Sequence, residues 1–360
     1  MIIKRGEPLL EKKKITIKEI AQKSGVSVST VSRVLNDSPS VNEAKRKKIQ
    51  AVIDEFDYQP SMFARGMISN KTHTLAVIVS DITNPYFTEL VAEINQFSKI
   101  AGYSILLFNT MSAGSSKFSA AYESEVAIFK TIIEKQVDGV IILGGEVDQE
   151  KIAPAYAVAL NQLSYKIPTV VIGQKHVAID CTFIERNLAL GTTMVTQHLL
   201  ALGNKKIGFI GGEPGVTITG ERLNAFKKTL SIYSHVEERY IILNDYYAKD
   251  GYVAMQELLA QGDLPEAIVT INDAVALGAI RALVDAGKNC PKDIAIASCD
   301  QFSTSAFSVP RLTSINQHND FLGRVAIKTL TQLIDETVDE IVFDHRPELV
   351  INESCGAKLK

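Results

Sequence analysis

Residues 15–65 read ITIKEIAQKSGVSVSTVSRVLNDSPSVNEAKRKKIQAVIDEFDYQPSMFAR, a stretch that predicts three short helices followed by a loop. The first helix begins at a capping box, in which Thr16 and Glu19 bond each other's amide groups. Gly25 then allows the chain to turn without Cβ strain. Apolar positions at helical spacing place the third helix at residues 42–56. Two helices joined by a tight glycine-containing turn predict a helix-turn-helix.

The second predicted helix has a surface that suits DNA. Ser27 can cap it, and its first turn is small and hydroxyl-bearing, so it can approach base edges and phosphates closely. Arg33, one turn later, can bond O6 and N7 of guanine. The alternative is a helical hairpin that only packs, with Arg33 solvated. The capping box, the glycine turn and the Ser/Thr helix together favour DNA. The predicted contacts here are Thr16, Ser27, Val28, Ser29, Thr30, Ser32, Arg33 and Asn36.

The charge distribution supports a polyanionic partner for this region alone. Residues 1–74 hold 14 Lys and Arg against 8 Asp and Glu, whereas residues 75–360 hold 24 against 33. A basic head on an acidic body favours nucleic acid as the partner of the head.

Composition also excludes several classes of protein. The four cysteines, Cys181, Cys290, Cys299 and Cys355, show no metal-ligand spacing and are expected to be reduced thiols. We expect no metal and no cofactor. The N-terminal residues resemble no secretion signal, and no apolar run approaches the ~20 residues that a membrane span needs, so a cytoplasmic location is expected.

From residue 74 onward the pattern changes to alternating strands and helices. Residues 75–79 form a continuous apolar run, typical of a strand covered on both faces. Further runs at parallel-sheet spacing predict α/β structure, and the pattern starts again at residue 188. The sequence therefore predicts two doubly wound α/β halves. Open sheets of this kind bind ligands outside the carboxyl ends of their strands, so two facing halves would form one ligand cleft.

The head resembles the DNA-binding region of the lactose-repressor and galactose-repressor family of bacterial transcription regulators. The matching residues are Gly25-Val26-Ser27, Thr30-Val31-Ser32-Arg33-Val34-Leu35-Asn36, Tyr58-Gln59-Pro60 and Ala64-Arg65. The body resembles periplasmic sugar-binding proteins. The resemblance implies crossovers between the halves near Gly173, near Asp300 and after a helix at about 320–335, with a last strand at 348–351 that returns to the second half.

The resemblance also implies a domain organisation and a hinge. The expected divisions are a flexible arm (1–14), a helix-turn-helix domain (15–60), a hinge helix with linker (61–74), a periplasmic-binding-protein-like domain for effector binding and dimerisation (75–352) and a tail (353–360). In the family the hinge becomes helical on DNA, and an apolar side chain wedges into the minor groove. Met67 occupies that position here.

For the cleft, the resemblance implies effector contacts by Phe87, Arg222, Tyr246, Asn272 and Asp300. Asp273 is expected to be a helix cap. The sequence departs from the family at Asn187 and Leu188, where Asp-Asn is usual, and Glu185 or Arg186 is a candidate to replace those polar groups.

The predicted function is a homodimeric repressor of a carbohydrate operon that binds near-palindromic operator DNA and responds to a sugar or sugar phosphate. One alternative is a catabolite-control regulator whose corepressor is a phosphorylated carrier protein. Another is a sugar-binding transport receptor. No catalytic motif is present: Gly211-Gly212-Glu213-Pro214-Gly215 lacks the lysine of a phosphate-binding loop. The chain is therefore not expected to be an enzyme.

Overall fold

The computed structural model describes residues 15–35, 38–58, 71–112, 121–337 and 346–357. The chain divides into two compact units, Met1–Thr72 and His73–Lys360. The arm at 1–14, most of the predicted hinge, Asn36 and Met67 lie outside the described residues.

The first unit contains the three predicted helices: α1 (Ile17–Ser24), α2 (Val28–Leu35) and α3 (Glu43–Phe56). The capping box is present, since the amide of Thr16 donates to Glu19 Oε2 at 2.7 Å and Thr16 Oγ1 accepts from the Glu19 amide at 3.3 Å. Gly25 ends α1 in the left-handed region at φ 66°. The helices enclose a small core of Ile20, Ala21, Val31, Val34 and Ile49.

The second unit contains two sheets. The first has the order β2-β1-β3-β4-β5 and the second has the order β11-β10-β9-β8-β6-β7. All pairs are parallel except β10 with β11. The strands are β1 (Thr74–Val79), β2 (Ser104–Asn109), β3 (Gly139–Leu143), β4 (Thr169–Ile172), β5 (Thr182–Ile184), β6 (Ile207–Ile210), β7 (Ile241–Ile242), β8 (Ala267–Thr270), β9 (Ala295–Ser298), β10 (Thr313–Asn316) and β11 (Glu348–Val350).

Helices cover both sheets, and this explains the apolar runs. Every residue of β1 is buried, as expected for a strand between two helical layers. The helices of this unit are α4 (Pro85–Ile100), α5 (Ala121–Lys135), α6 (Pro154–Lys166), α7 (Leu188–Ala201), α8 (Thr217–Tyr233), α9 (Ala248–Ala260), α10 (Asp273–Asp285) and α11 (Asn319–Ile334). Over the described ranges, no helix is long and apolar enough to cross a membrane.

Two of the predicted crossover positions were wrong. The chain does not leave the first sheet near Gly173, because β5 pairs with β4 and keeps the chain there as far as Ile184. It does not leave the second sheet near Asp300, because β10 pairs with β9. Both strands are too short to give a distinct apolar period.

The third predicted crossover, after the helix at about 320–335, is confirmed. Leu322, Val325 and Leu330 of α11 pack in the core of the first sheet, beside Leu75 of β1. The chain then returns to the second sheet as β11, antiparallel to β10. We call the body around the first sheet the first lobe and the body around the second sheet the second lobe.

Candidate DNA-binding surface and effector cleft

The second helix presents the predicted DNA-contacting side chains to solvent. Ser29 and Arg33 are exposed, and Val28 is 40% exposed. Ser27 Oγ lies 2.8 Å from both Ser29 Oγ and Thr30 Oγ1, and it accepts from the Thr30 amide at 3.3 Å. The first turn is therefore held by its own hydroxyl groups. Thr16 is exposed, while Thr30 and Ser32 are half-buried.

A cleft lies between the two lobes at the carboxyl ends of their strands. It encloses about 810 Å³ of empty space, part of which is open to solvent. All five predicted effector residues line it: Phe87, Arg222, Tyr246, Asn272 and Asp300.

Arg222 and Asp300 form a buried ion pair on the second-lobe side of the cleft. Arg222 Nη2 lies 2.8 Å from Asp300 Oδ2, and Nη1 donates to the carbonyl of Ile271 at 3.0 Å. Their side chains are only 2% and 5% exposed. Arg222 Nε and Asp300 Oδ1 are buried and have no hydrogen-bond partner within the described ranges. One donor and one acceptor of this pair therefore remain for a ligand.

Arg186 is a further cleft residue, and the sequence left its role open. Its guanidinium lies 4.6 Å from the centroid of the Tyr86 ring, and its Nη1 lies 3.8 Å from Asp300 Oδ2. Glu185, the other candidate, instead accepts from the amide of Lys175 at 2.8 Å. Arg186 is the second residue after β5, so a prediction of that strand would have marked it as a strand-end residue.

Asp148 brings a second carboxylate to the cleft and was not predicted from the sequence. It lies in a turn that follows β3 and lines the cleft. Burial raises the pKa of its carboxyl to about 6, and the charge of Arg186 opposes that shift. Tyr246 also lines the cleft, where its hydroxyl lies 2.6 Å from Thr219 Oγ1.

The Asn272-Asp273 pair corrects one expectation. Asn272 itself caps α10, because its Oδ1 accepts from the Val275 amide at 2.9 Å. Asp273 is fully buried and instead accepts from Ser314 Oγ at 2.7 Å and from the amide of Phe302 at 3.0 Å. The side chain of Asn272 lines the cleft with its bonding groups already engaged.

Direct bonds connect the lobes across the cleft. The Tyr247 hydroxyl of the second lobe donates to Asp81, which follows β1 of the first. At another point the amide of Glu150 donates to the carbonyl of Gly215 at 2.9 Å. Tyr247 and Asp81 thus form a polar latch between the halves. Over the residues that the structure describes, no group of three His, Cys, Asp or Glu side chains could hold a metal ion.

Comparison with known proteins agrees with this architecture. Residues 16–61 match the model of bacterial regulatory proteins of the lacI family, and residues 196–355 match that of the periplasmic binding protein-like domain. The ribose operon repressor of Escherichia coli (strain K12) is 32% identical over 89% of this chain and 93% of its own length. This chain belongs to the lacI family. The family consists of transcriptional regulators that carry a DNA-binding head and a ligand-binding body.

Two further relatives match nearly the whole chain. The HTH-type transcriptional repressor PurR of Photobacterium profundum is 31% identical over 94% of this chain and 98% of its own. Catabolite control protein A of Priestia megaterium is 31% identical over 93% and 98%. The lac repressor dimer bound to operator and an anti-inducer has the same fold, with a TM-score of 0.82 at 24% identity over 95% of this chain and 99% of its own.

Proposed function

We propose that this lacI-family regulator is a homodimeric, cytoplasmic repressor whose operator binding is controlled by a small polyhydroxylated effector. The observation that supports this most is the cleft. Arg222 Nε, Asp300 Oδ1 and Ser80 Oγ are buried there without hydrogen-bond partners in the described structure. Buried polar atoms are ordinarily paired, so unpaired donors and acceptors on residues that line one cavity favour a ligand rich in hydroxyl groups.

The DNA half of the proposal rests on the exposed face of α2. Arg33 and the hydroxyl-bearing first turn read base edges, with Thr16, Thr30, Ser32 and Asn36 as supporting contacts and Met67 as the minor-groove wedge. One such head makes few contacts, and two heads of a dimer would read a near-palindrome. The lac repressor, which has the same fold, has been solved as a dimer bound to its operator, and this supports a dimer here.

Effector and operator are coupled through the arrangement of the lobes. The two lobes can be closed on each other or open. A ligand that contacts Phe87 of the first lobe and Arg222 of the second favours the closed arrangement. It shifts DNA binding only through its different affinity for the two arrangements. The Tyr247–Asp81 latch is one of the contacts between the lobes that such a shift makes or breaks.

Footprinting of genomic fragments selected by the full-length chain tests the DNA half. We expect protection with two-fold symmetry, and an asymmetric single half-site would count against the dimer. Operator affinity measured with and without candidate effectors tests the control. Asp300→Asn should leave the affinity without effector nearly intact and remove the response.

A catabolite-control role is the second candidate, since catabolite control protein A is as similar to this chain as the PurR relative is. In that case a phosphorylated carrier protein would act as corepressor. A pull-down with that carrier, compared with a sugar titration, separates the two. Retention of the carrier with no response to any sugar would favour the second.

A further inference from the structure

Arg186 places a second guanidinium in the cleft, and among the described residues its nearest carboxylate contact is the long one to Asp300, at 3.8 Å. We infer that the effector carries an anionic group, a carboxylate or a phosphate, in addition to its hydroxyls. Arg186 binds this group and thereby determines the preference for anionic over neutral ligands. The inference rests on the proposed function, because it assigns a ligand class to the same cleft.

Asp300 forms its hydrogen bond with Arg222 and not with Arg186. Asp300 Oδ2 bonds Arg222 Nη2 at 2.8 Å, whereas Arg186 Nη1 is 3.8 Å from the same oxygen, beyond hydrogen-bond distance. The Arg186 side chain is only 9% exposed, and its Nη1 is buried without a partner among the described residues. A buried, charged N–H group without an acceptor is costly, so this site favours an arriving anion.

The orientation of Arg186 also suits an oxyanion. Its face is occupied by the Tyr86 ring at 4.6 Å, which leaves the N–H edge of the guanidinium for an acceptor in its plane. The backbone holds it in place: Gln174 Nε2 donates to the Arg186 carbonyl at 3.4 Å, and the neighbouring Asn187 caps α7. A planar fork fixed in this way matches the two oxygens of a carboxylate or phosphate.

Asp148 gives the inference a second test. Its pKa is raised to about 6 by burial and lowered by Arg186, and no ion pair within 4.0 Å joins the two side chains in the described chain. The phenols of Tyr86, Tyr156 and Tyr246 also lie close enough to interact with the charge of this carboxyl. An anion bound at Arg186 disfavours the ionised form of Asp148, so binding takes up a proton. A neutral ligand that donates to Asp148 favours the ionised form and releases one.

The experiment uses the full-length chain and matched sets of ligands. Each set contains a neutral sugar, its uronate or aldonate, and its terminal phosphate, with glucose, galactose and ribose as parents. Stabilisation and affinity are measured by thermal shift and calorimetry for the wild type, Arg186→Gln and Arg186→Lys. Arg281→Gln is the control, because Arg281 is an exposed arginine that pairs with Asp285 on its own helix.

We expect an anionic member to bind about tenfold to a hundredfold more tightly than its neutral parent, the value of a charge-assisted bond. Arg186→Gln should remove that preference, Arg186→Lys should keep part of it, and Arg281→Gln should leave it unchanged. The carboxylate sugar should bind more tightly at about pH 6 than at about pH 8, as proton uptake requires. The carboxylate arm and the phosphate arm identify which oxyanion is preferred.

Three results would overturn the inference. The first is a neutral sugar that binds as tightly as its anionic partners, which would leave effector control by a sugar standing. The second is an Arg186→Gln variant that keeps the anionic preference. The third is a panel in which no member stabilises the chain, and this result would also remove the proposed sugar control.

Discussion

The DNA-binding head and the effector cleft use polar side chains in opposite ways. In the head, the hydroxyls of Ser27 and Thr30 bond each other within one turn, and Arg33 is exposed. In the cleft, Arg222 and Asp300 bond across 78 positions of sequence and are almost fully buried. An exposed local set can change without cost to the core, whereas a buried distant set cannot. Substitutions in the head should therefore alter recognition, and substitutions in the cleft should alter recognition and stability together.

Arg222→Met is the strongest test of that difference. The substitution leaves Asp300 buried without its partner, and breaking a buried pair costs about 3–5 kcal/mol of unfolding free energy. We expect a large fall in melting temperature together with loss of the effector response. Arg281→Met is the matched control, since its exposed pair with Asp285 is worth at most about 0.5 kcal/mol. Equal effects of the two substitutions would contradict the comparison.

Glu125→Gln tests whether one buried carboxyl determines how the stability of the two-lobed body depends on pH. Glu125 is 1% exposed, and burial raises its pKa from 4.5 to about 7, beside Ser112, Tyr156 and Glu146. Because the folded state holds this proton more tightly than the unfolded state, stability falls as pH rises from 4.5 through about 7.

Glu125→Gln should remove that slope and should stabilise the protein well above pH 7 by roughly 3 kcal/mol. Melting temperatures at several pH values measure it. Glu134→Gln, an exposed change on the same helix, is the control. A slope that persists in Glu125→Gln would show that other groups carry it.

The same contrast explains how much the sequence could predict. Helix α1 was predicted from Thr16, Glu19 and Gly25 because its start and end signals lie within ten residues. The cleft residues Arg222 and Asp300 came from a family motif, not from periodicity. Arg186 and Asp148 could not be placed, because their positions depend on β5 and on a turn after β3 that carry no strong local pattern. The sequence alone therefore predicted the capping of a helix by nearby residues. The pairing of charged residues that are distant in sequence could be identified only from the three-dimensional structure.

Arg33→Ala tests whether a substitution on the exposed face of the head changes DNA recognition without changing stability. If Arg33 bonds guanine, its loss should reduce discrimination between operator and mismatched DNA by about 1–3 kcal/mol per half-site. The melting temperature should not change, because the side chain is exposed. Binding to the two DNA sequences at equal salt concentration measures the ratio. An unchanged ratio with uniformly weaker binding would make Arg33 a phosphate contact instead.

Thr16→Ala has the smallest expected effect. It tests whether an exposed residue of the head can also contribute to stability, through the start of α1. The substitution removes the oxygen that accepts from the Glu19 amide, and loss of such a cap costs about 1 kcal/mol. Since α1 packs on the small core through Ile20 and Ala21, hydrogen exchange of the α1 amides should become about fivefold faster. Thr16→Ser keeps the hydroxyl and should restore protection. If Thr16→Ala weakens operator binding without faster exchange, the exposed hydroxyl contacts DNA directly. If exchange rises and the specificity ratio is constant, Thr16 acts only by holding the helix that supports α2.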